Sequence, residues 1–467
     1  MSSAAVPPSV DPAAERRRDR IGVVALTVAA CVGAHVAYVM QSVPLRSAND
    51  RSRWATVRAL SEENTYIIDR AQRDKTWATI DLVRHEGHFY STKPPLLPTI
   101  LGHVVDGITA TLGWTLSTRP IDTTRLVLLL VNALPMAVAL ALLGGIAVNT
   151  TRTTFAPVVA VLAAGVGTMH LPFVATLNNH TIGLWAAAFA LAATLRIEVA
   201  ACRRQQRLAA VLAGLFGMWC CCNELPAALF GLTLFGWLAW RDWRLACFWF
   251  LPAALVPLLF FFWTNYAATG GWKPFYMYYG TEKYEFYYDD GRPSYWMNPQ
   301  GIDRNLDSPG MYALHCLVGH HGLFSLTPVL LVAVAGCFGL PRFRDRFPDR
   351  FPDLDPATGQ PLHARWLQFW AIAAAVLSVA VLGFFLTRTE NYNYGGNSVA
   401  LRWMLWLTPL WSVLMIVACD RFRSTAFRAF VVVALAASVF SAVEPGPNPW
   451  QANWLFDALT QANLISY

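Results

Sequence analysis

The sequence predicts an all-α polytopic membrane protein, a bundle of about eleven transmembrane helices with interfacial helices in its first outer loop. Three observations lead there. Of 467 residues, 55% are hydrophobic and only 14% are charged, where a soluble protein carries about 25% charged residues. The apolar residues fall in blocks instead of at an amphipathic period, and a block of roughly 20 spans hydrocarbon as a helix. The net charge of +7 sits in short runs between the blocks, as in loops held inside by the positive-inside rule. It calls for no nucleic acid.

In chain order, a basic tail (1–20) ends in Arg16–Arg20 and precedes the block Ile21–Met40. That block is long and lacks a small-residue cleavage site, so it is expected to be retained as a helix, not removed as a signal peptide. A first outer loop (41–123) follows, then blocks at Leu126–Val148, Phe155–Phe173, Thr181–Val199, Leu208–Cys222, Pro226–Trp240 and Leu245–Tyr266. A second outer loop (269–322) is crowded with aromatics such as Tyr276, Tyr284, Phe286 and Trp296. After it come Leu323–Leu340, a cytoplasmic linker (341–366) with a tandem Arg-Phe-Pro-Asp, Leu367–Thr387, Trp403–Ala418 and Ala429–Val443. The transmembrane domain is thus 21–446, and 447–467 is an extracytoplasmic C-terminal segment. The nine cysteines lie mostly in apolar blocks without metal spacing and read as small helix residues.

Parity sharpens the topology. With the first tail and Arg421–Arg428 both inside, counting back one block at a time places Ser117–Thr123 on the same side as Ser42–Pro95. Leu96–Trp114, with His103, Asp106 and three glycines, is therefore expected to be re-entrant or interfacial. Upstream, Trp54, Val57 and Leu60 recur at helical spacing beside Arg51, Arg53 and Arg58, as in a helix lying at the headgroup boundary.

The helix interiors are nearly free of charge, and intramembrane charges are what mark a transport pathway. Ionisable groups gather instead at the outer ends: Asp50, Lys93, His180, Glu224, His320, His321, Glu390 and Arg402. Lys93 follows Tyr90-Ser91-Thr92 and precedes two prolines, which hold its backbone extended at the mouth of the next helix. A lysine there suits a phosphate, or equally snorkels to the interface. Asp50 by itself also fits a helix N-cap. Glu224, in Asn223-Glu224-Leu225-Pro226, fits a turn as well as a substrate contact, and His180 fits a helix-start histidine somewhat better than a catalytic one. Gly319-His320-His321-Gly322 names no third ligand, so no metal site is assigned and the cofactor stays unknown. Glycines in Tyr392-Asn393-Tyr394-Gly395-Gly396 permit close backbone approach to a ligand ahead of Arg402.

Asn49-Asp50-Arg51-Ser52-Arg53-Trp54, then Tyr90–Leu96 with its Lys-Pro-Pro-Leu, then Arg125-Leu126, resemble the GT-C superfamily of membrane glycosyltransferases. Within it they are most similar to the protein O-mannosyltransferase and lipid A aminoarabinose transferase (ArnT-like) group. The resemblance covers about Asp50–Arg125 and is loose beyond. It implies a GT-C-like bundle, a polyprenyl-phosphate sugar donor, and an acceptor lipid, protein or glycan on the extracytoplasmic face, in a bacterial inner membrane. It carries Asp50 as catalytic base and Lys93 as phosphate ligand. His180 as a second catalytic residue, and Tyr90, Glu224, Glu390, Arg402 and His321 as substrate contacts, come from expected position alone. Two departures stand out: Arg51 follows Asp50 where the family often has Glu, and Asn178-Asn179-His180-Thr181 stands where it often has a further aspartate. The competing class is a multi-pass transporter or flippase, for which inverted repeats and paired broken helices would be the signature. Neither is visible.

Overall fold

The computed structural model describes residues 12–343, 362–388 and 393–467; the tandem Arg-Phe-Pro-Asp and Glu390 fall outside the described residues. The first apolar block forms α1 (Pro12–Gln41). The first outer loop folds into α2 (Ala48–Glu63), a single turn α3 (Asp69–Gln72), a hairpin of β1 (Leu82–His85) and β2 (His88–Ser91), and α4 (Leu96–Leu112). Then come α5 (Pro120–Leu128), α6 (Leu134–Thr150), α7 (Phe155–Gly165), α8 (Asn179–Val199), α9 (Arg203–Asn223), α10 (Ala228–Leu245) and α11 (Leu251–Thr269). Beyond the second outer loop lie α12 (Pro309–Leu317), α13 (Leu323–Leu326), α14 (Leu330–Phe343), α15 (Leu362–Leu386), α16 (Thr408–Arg421), α17 (Thr425–Val443) and α18 (Trp454–Gln461).

Among the described residues, seven helical runs are long and apolar enough to cross a membrane by length and composition. The chain is an integral, multi-pass, all-α membrane protein. Helices are the form available to these segments because lipid offers no partner to a free backbone amide. Two runs are built across prolines. Pro135 and Pro252 each sit just after a π-helical turn, Leu129–Ala133 and Ala246–Phe250. A proline ring crowds the carbonyl four residues back, and the wider turn makes room for it.

The bundle has a clear centre. In α8 and the run Arg402–Arg421, 83% and 94% of the apolar window is buried inside the protein, against 22% for α1 and 28% for α17. Small residues let the central helices approach closely, the usual device where lipid removes the hydrophobic drive between helices. A Cβ on Gly336 of α14 would lie 2.2 Å from the Leu414 carbonyl oxygen of α16, and one on Gly214 of α9 would lie 2.3 Å from that of Phe250.

One end of the bundle is basic. Arg17 and Arg20 of α1 donate to Asn149 and Thr151 at 3.0 Å, the Arg152 amide donates to Asp420, and Arg241 pairs with Glu198 at 2.6 Å. The opposite end carries the folded outer-loop layer. There Arg125 donates to the Ser42 carbonyl at 2.6 Å, joining the start of α5 to the end of α1.

Within this layer α2 forms where the periodicity places it, with a different covering. Trp54 and Val57 are fully buried, and Arg53 and Arg58 are buried with them. Protein, not headgroups, covers this helix: α4 and the hairpin pack on it, in a small core that includes Leu82, Leu97 and Leu101. Helix α4 runs alongside α2. Ser91 at its approach contacts Ser52 early in α2 (2.7 Å), and the amide of Ser117 past its end donates to Glu62 late in α2 (2.8 Å).

This geometry makes an accessibility prediction. Single cysteines at Ser47, Thr118 and Asn397 should react with an impermeant thiol reagent from one side of the membrane, and one at Asn149 from the other. Exposed Cys202 must be replaced first. Labelling of Thr118 from the Asn149 side would mean that α4 crosses.

Candidate functional site

The hairpin is the local device that builds the site. Glu86 and Gly87 both adopt positive φ, 51° and 83°, the two-residue turn whose twist matches a hairpin. The register pairs Leu82 with Ser91, so Asp81 and Thr92 leave the hairpin side by side. Thr92 donates its hydroxyl to Asp81 Oδ1 at 2.6 Å, and Lys93 Nζ lies 2.8 Å from Asp81 Oδ2. Asp81 is held from behind by Ser52, which donates to its carbonyl at 2.6 Å. The Lys93 side chain keeps 20% exposure while Asp81's keeps 8%.

Three cations gather here. Burial pushes the Lys93 ammonium down to about 8; Asp81 opposes this, and the nearby charges of Arg53 and Arg402 reinforce it. Burial and the neighbouring Arg402 likewise push Arg53 down to about 10, against the pull of Asp81, Asp50 and Glu224. Arg53 is held by Asn49 of its own helix and by Asn179 Oδ1 at the start of α8. Arg402 donates through Nε to the Gly395 carbonyl at 2.6 Å, and its guanidinium lies 5.1 Å from the Trp450 ring centroid. Gly395 has φ 96°, and a Cβ there would meet Arg402 Nε at 2.8 Å. The glycine is what admits the arginine.

His180 and Glu224 meet beside this cluster. His180 Nδ1 lies 2.5 Å from Glu224 Oε1, which also accepts from Asn179 Nδ2 at 2.8 Å. Arg402 Nη1 lies 3.1 Å from His180 Nε2. A guanidinium can only donate, so Nε2 is the bare nitrogen and Nδ1 carries the proton toward Glu224. Glu224 sits in the connection after α9, 4% exposed, and burial pushes its carboxyl up to about 8 against Arg402 and Arg53. Gly183 clears its place, since a Cβ there would fall 2.9 Å from Glu224 Cγ. A carboxyl whose burial raises its affinity for a proton, hydrogen-bonded to a fixed histidine and near a guanidinium, can exchange a proton beside a bound anion.

Asp50 is 1% exposed and uses both oxygens on backbone. Oδ2 accepts the Leu45 amide at 2.9 Å, and Oδ1 accepts the Leu177 amide at 3.0 Å. Burial pushes its carboxyl up to about 6 despite those bonds and Arg53. The N-cap of α2 is Ser47, which accepts the Asp50 amide at 3.0 Å, so Asp50 is not the cap.

Of the residues singled out in the sequence, the structure brings together Lys93, Arg402, His180 and Glu224, with Asp50 behind Arg53. Tyr90 is elsewhere: its ring packs on His85 and Phe275, on the hairpin's side toward the second outer loop. His321 belongs to another cluster, facing His320 and donating through Nε2 to the Ser398 carbonyl at 2.6 Å, with Tyr394 stacked on it. Among the described residues, no group of three His, Cys, Asp or Glu could hold a metal ion.

Sequence reasoning missed Arg53, Asp81 and Asn179 as site members, and Asp303, which accepts from Tyr295 and Asn393 and whose burial raises its carboxyl near Arg402. Asp81 had a signal. Two short β-prone runs flanking Glu86-Gly87 define a hairpin, and a hairpin places Asp81 opposite Thr92.

Fold and site together define a multi-pass membrane protein with a buried, cation-rich site at the end of the bundle opposite its basic loops. No protein-family model matches the chain, and no curated protein matches it significantly. Among solved structures, the crystal structure of the Archaeoglobus fulgidus oligosaccharyltransferase complex with zinc and sulfate aligns with a TM-score of 0.44 at 13% identity. The alignment covers 94% of this chain and 55% of that one, so the chain spans about half that protein's length.

The Asp50 geometry makes a stability prediction. Asp50→Asn turns one acceptor into an N–H₂ group facing a backbone N–H, and one buried amide loses its partner. The variant should lose roughly 1–3 kcal/mol, seen as a lower thermal midpoint in detergent. An unchanged midpoint would show that those two bonds do not anchor the loop.

Proposed function

We propose that the chain is a membrane glycosyltransferase that moves a sugar from a polyprenyl-phosphate donor to an acceptor on the extracytoplasmic face. The observation that carries this is the convergence of Lys93, Arg53 and Arg402 at one buried position, beside Asp81 and the Glu224–His180 pair. Breaking a sugar–phosphate bond builds charge on the leaving phosphate, and fixed cations in a partly dry site stabilise that charge most effectively. The acceptor hydroxyl must lose a proton to a base. In this reading the outer-loop layer faces outside, because the opposite end carries the basic loops, and α4 remains within that layer. The motif around Asp50 and Lys-Pro-Pro-Leu favours the protein O-mannosyltransferase and ArnT-like kind of donor, a lipid monophosphate sugar.

Lys93 is the phosphate ligand, because the family motif carries that role to it, its side chain keeps 20% exposure and Pro94 and Pro95 hold it at the lip of α4. Two carboxylates are proposed for the base. The family motif assigns Asp50; Glu224 has the hydrogen-bonded histidine and the raised affinity for a proton.

Steady-state transfer with varied polyprenyl-phosphate sugar in nanodiscs tests the reading. Lys93→Ala should lower kcat/KM on the order of ten- to a hundredfold, the loss of about 1.5–3 kcal/mol from one charge-assisted contact, and Lys93→Arg should restore part of it. The ammonium of the free protein is charged below about pH 8. Donor affinity should therefore be full at pH 7, fall as pH rises through 8 to 9, and lose that fall in Lys93→Arg. Wild-type efficiency in Lys93→Ala would overturn the phosphate role. In the same assay Glu224→Gln and Asp50→Asn separate the bases: the variant that keeps donor binding and loses turnover identifies the base.

A further inference from the structure

Lys93 does not stand open in this structure. Its ammonium is already ion-paired at 2.8 Å with the buried carboxylate of Asp81, seated on its own loop and steadied by the Thr92 hydroxyl. The other two cations are held differently. The hydrogen-bond partners of Arg53 are amide oxygens of Asn49 and Asn179, with the Asn49 carbonyl, and those of Arg402 are the Gly395 carbonyl and the His180 ring. The remaining carboxylates have their own anchors: Glu224 on Asn179 and His180, Asp303 on Tyr295 and Asn393. Asp81 is thus the carboxylate that sits directly on Lys93.

We propose that Asp81 is an internal competitor for the anion site, occupying Lys93 until a lipid phosphate takes its place. The inference rests on the phosphate role given to Lys93 above and adds to it a residue that opposes binding. An incoming phosphodiester oxygen that reaches Lys93 meets the Asp81 carboxylate at contact distance. Two like charges in a partly dry site repel far more strongly than in water. Binding therefore requires the Asp81 side chain to swing away, rotating about a backbone that stays pinned through Ser52 and Thr79. The empty site keeps its ammonium neutralised, and the carboxylate is released only when the donor is seated. The opposite role predicts the opposite sign. If Asp81 only orients Lys93, which has further N–H donors to offer a phosphate, its removal weakens binding.

The test is equilibrium binding of a long-chain polyprenyl monophosphate to the full chain in nanodiscs, with the parent polyprenol and inorganic phosphate as separate arms. Asp81→Asn keeps size and the hydrogen bond from Thr92 and removes the charge. It should bind the lipid phosphate about five- to tenfold more tightly than wild type. The gain should disappear on a Lys93→Ala background, and the polyprenol should show no gain. Unchanged or weaker binding by Asp81→Asn overturns the proposal and leaves Lys93 as phosphate ligand untouched. Saturable binding of inorganic phosphate with the same gain moves the site from lipid to soluble anions. Failure of both wild type and Asp81→Asn to prefer the lipid phosphate over the polyprenol, with both folded by thermal melt, removes the phosphate site itself. Should Asp81→Asn not fold, Thr92→Val supplies the second variant. It loosens the carboxylate without changing charge and should tighten binding by a smaller factor; no gain there overturns the proposal.

Discussion

Burying three cations at one point is the constraint to which the rest of the structure answers. An isolated charge taken from water into a protein interior is too expensive to persist, and a like-charged neighbour raises the penalty. Each of Arg53, Lys93 and Arg402 therefore comes with its own satisfaction, delivered by a different part of the chain. The hairpin brings Asp81 to Lys93, the start of α8 brings Asn179 to Arg53, and a positive-φ glycine turn brings the Gly395 carbonyl to Arg402. The β-turn, the helix start and the glycine are local conformations with ordinary causes. Their conjunction is what the bundle organises.

The bundle can do so because its centre is rigid. Helices that touch backbone to backbone at Gly336 and Gly214 have little freedom to slide, and α8, which carries Asn179 and His180, is one of the two most enclosed runs. A site whose members come from α2, the hairpin, α8, the turn after α9 and the segment before α16 needs such a frame. Small changes in helix spacing would separate a histidine from a glutamate that now lie 2.5 Å apart.

Much of this was legible in the sequence. Apolar block length gave the helices, because lipid leaves the backbone no alternative. The clustering of ionisable residues at block ends marked where a site could form, and Lys93, Arg402, His180 and Glu224 do converge there. What was not legible depends on pairing over distance. Arg53 looked like a headgroup-facing residue because one helix by itself cannot show that α4 and a hairpin will cover it. Asp81 had only the indirect signal of the Glu86-Gly87 turn, since its importance arises when the strands register. Tyr90 lies apart for the converse reason: strand alternation sends it to the opposite face from Ser91, toward Phe275.

The hairpin is also tied forward, since the Arg84 amide donates to the Lys283 carbonyl at 2.9 Å. That bond joins segments separated by nearly the whole first half of the bundle. With Arg402 arriving later still, the site cannot be complete until most of the chain has been made. A chain emerging helix by helix would carry an unfinished first outer loop, with Arg53 lacking Asn179 and Arg84 lacking Asp289, until the later segments entered the membrane. Long-range closure of this kind is slow and leaves polar surface exposed while it waits. The biogenesis of such a protein favours insertion machinery that shelters early loops, and a chain cut short before Arg402 would hold helices and no complete site.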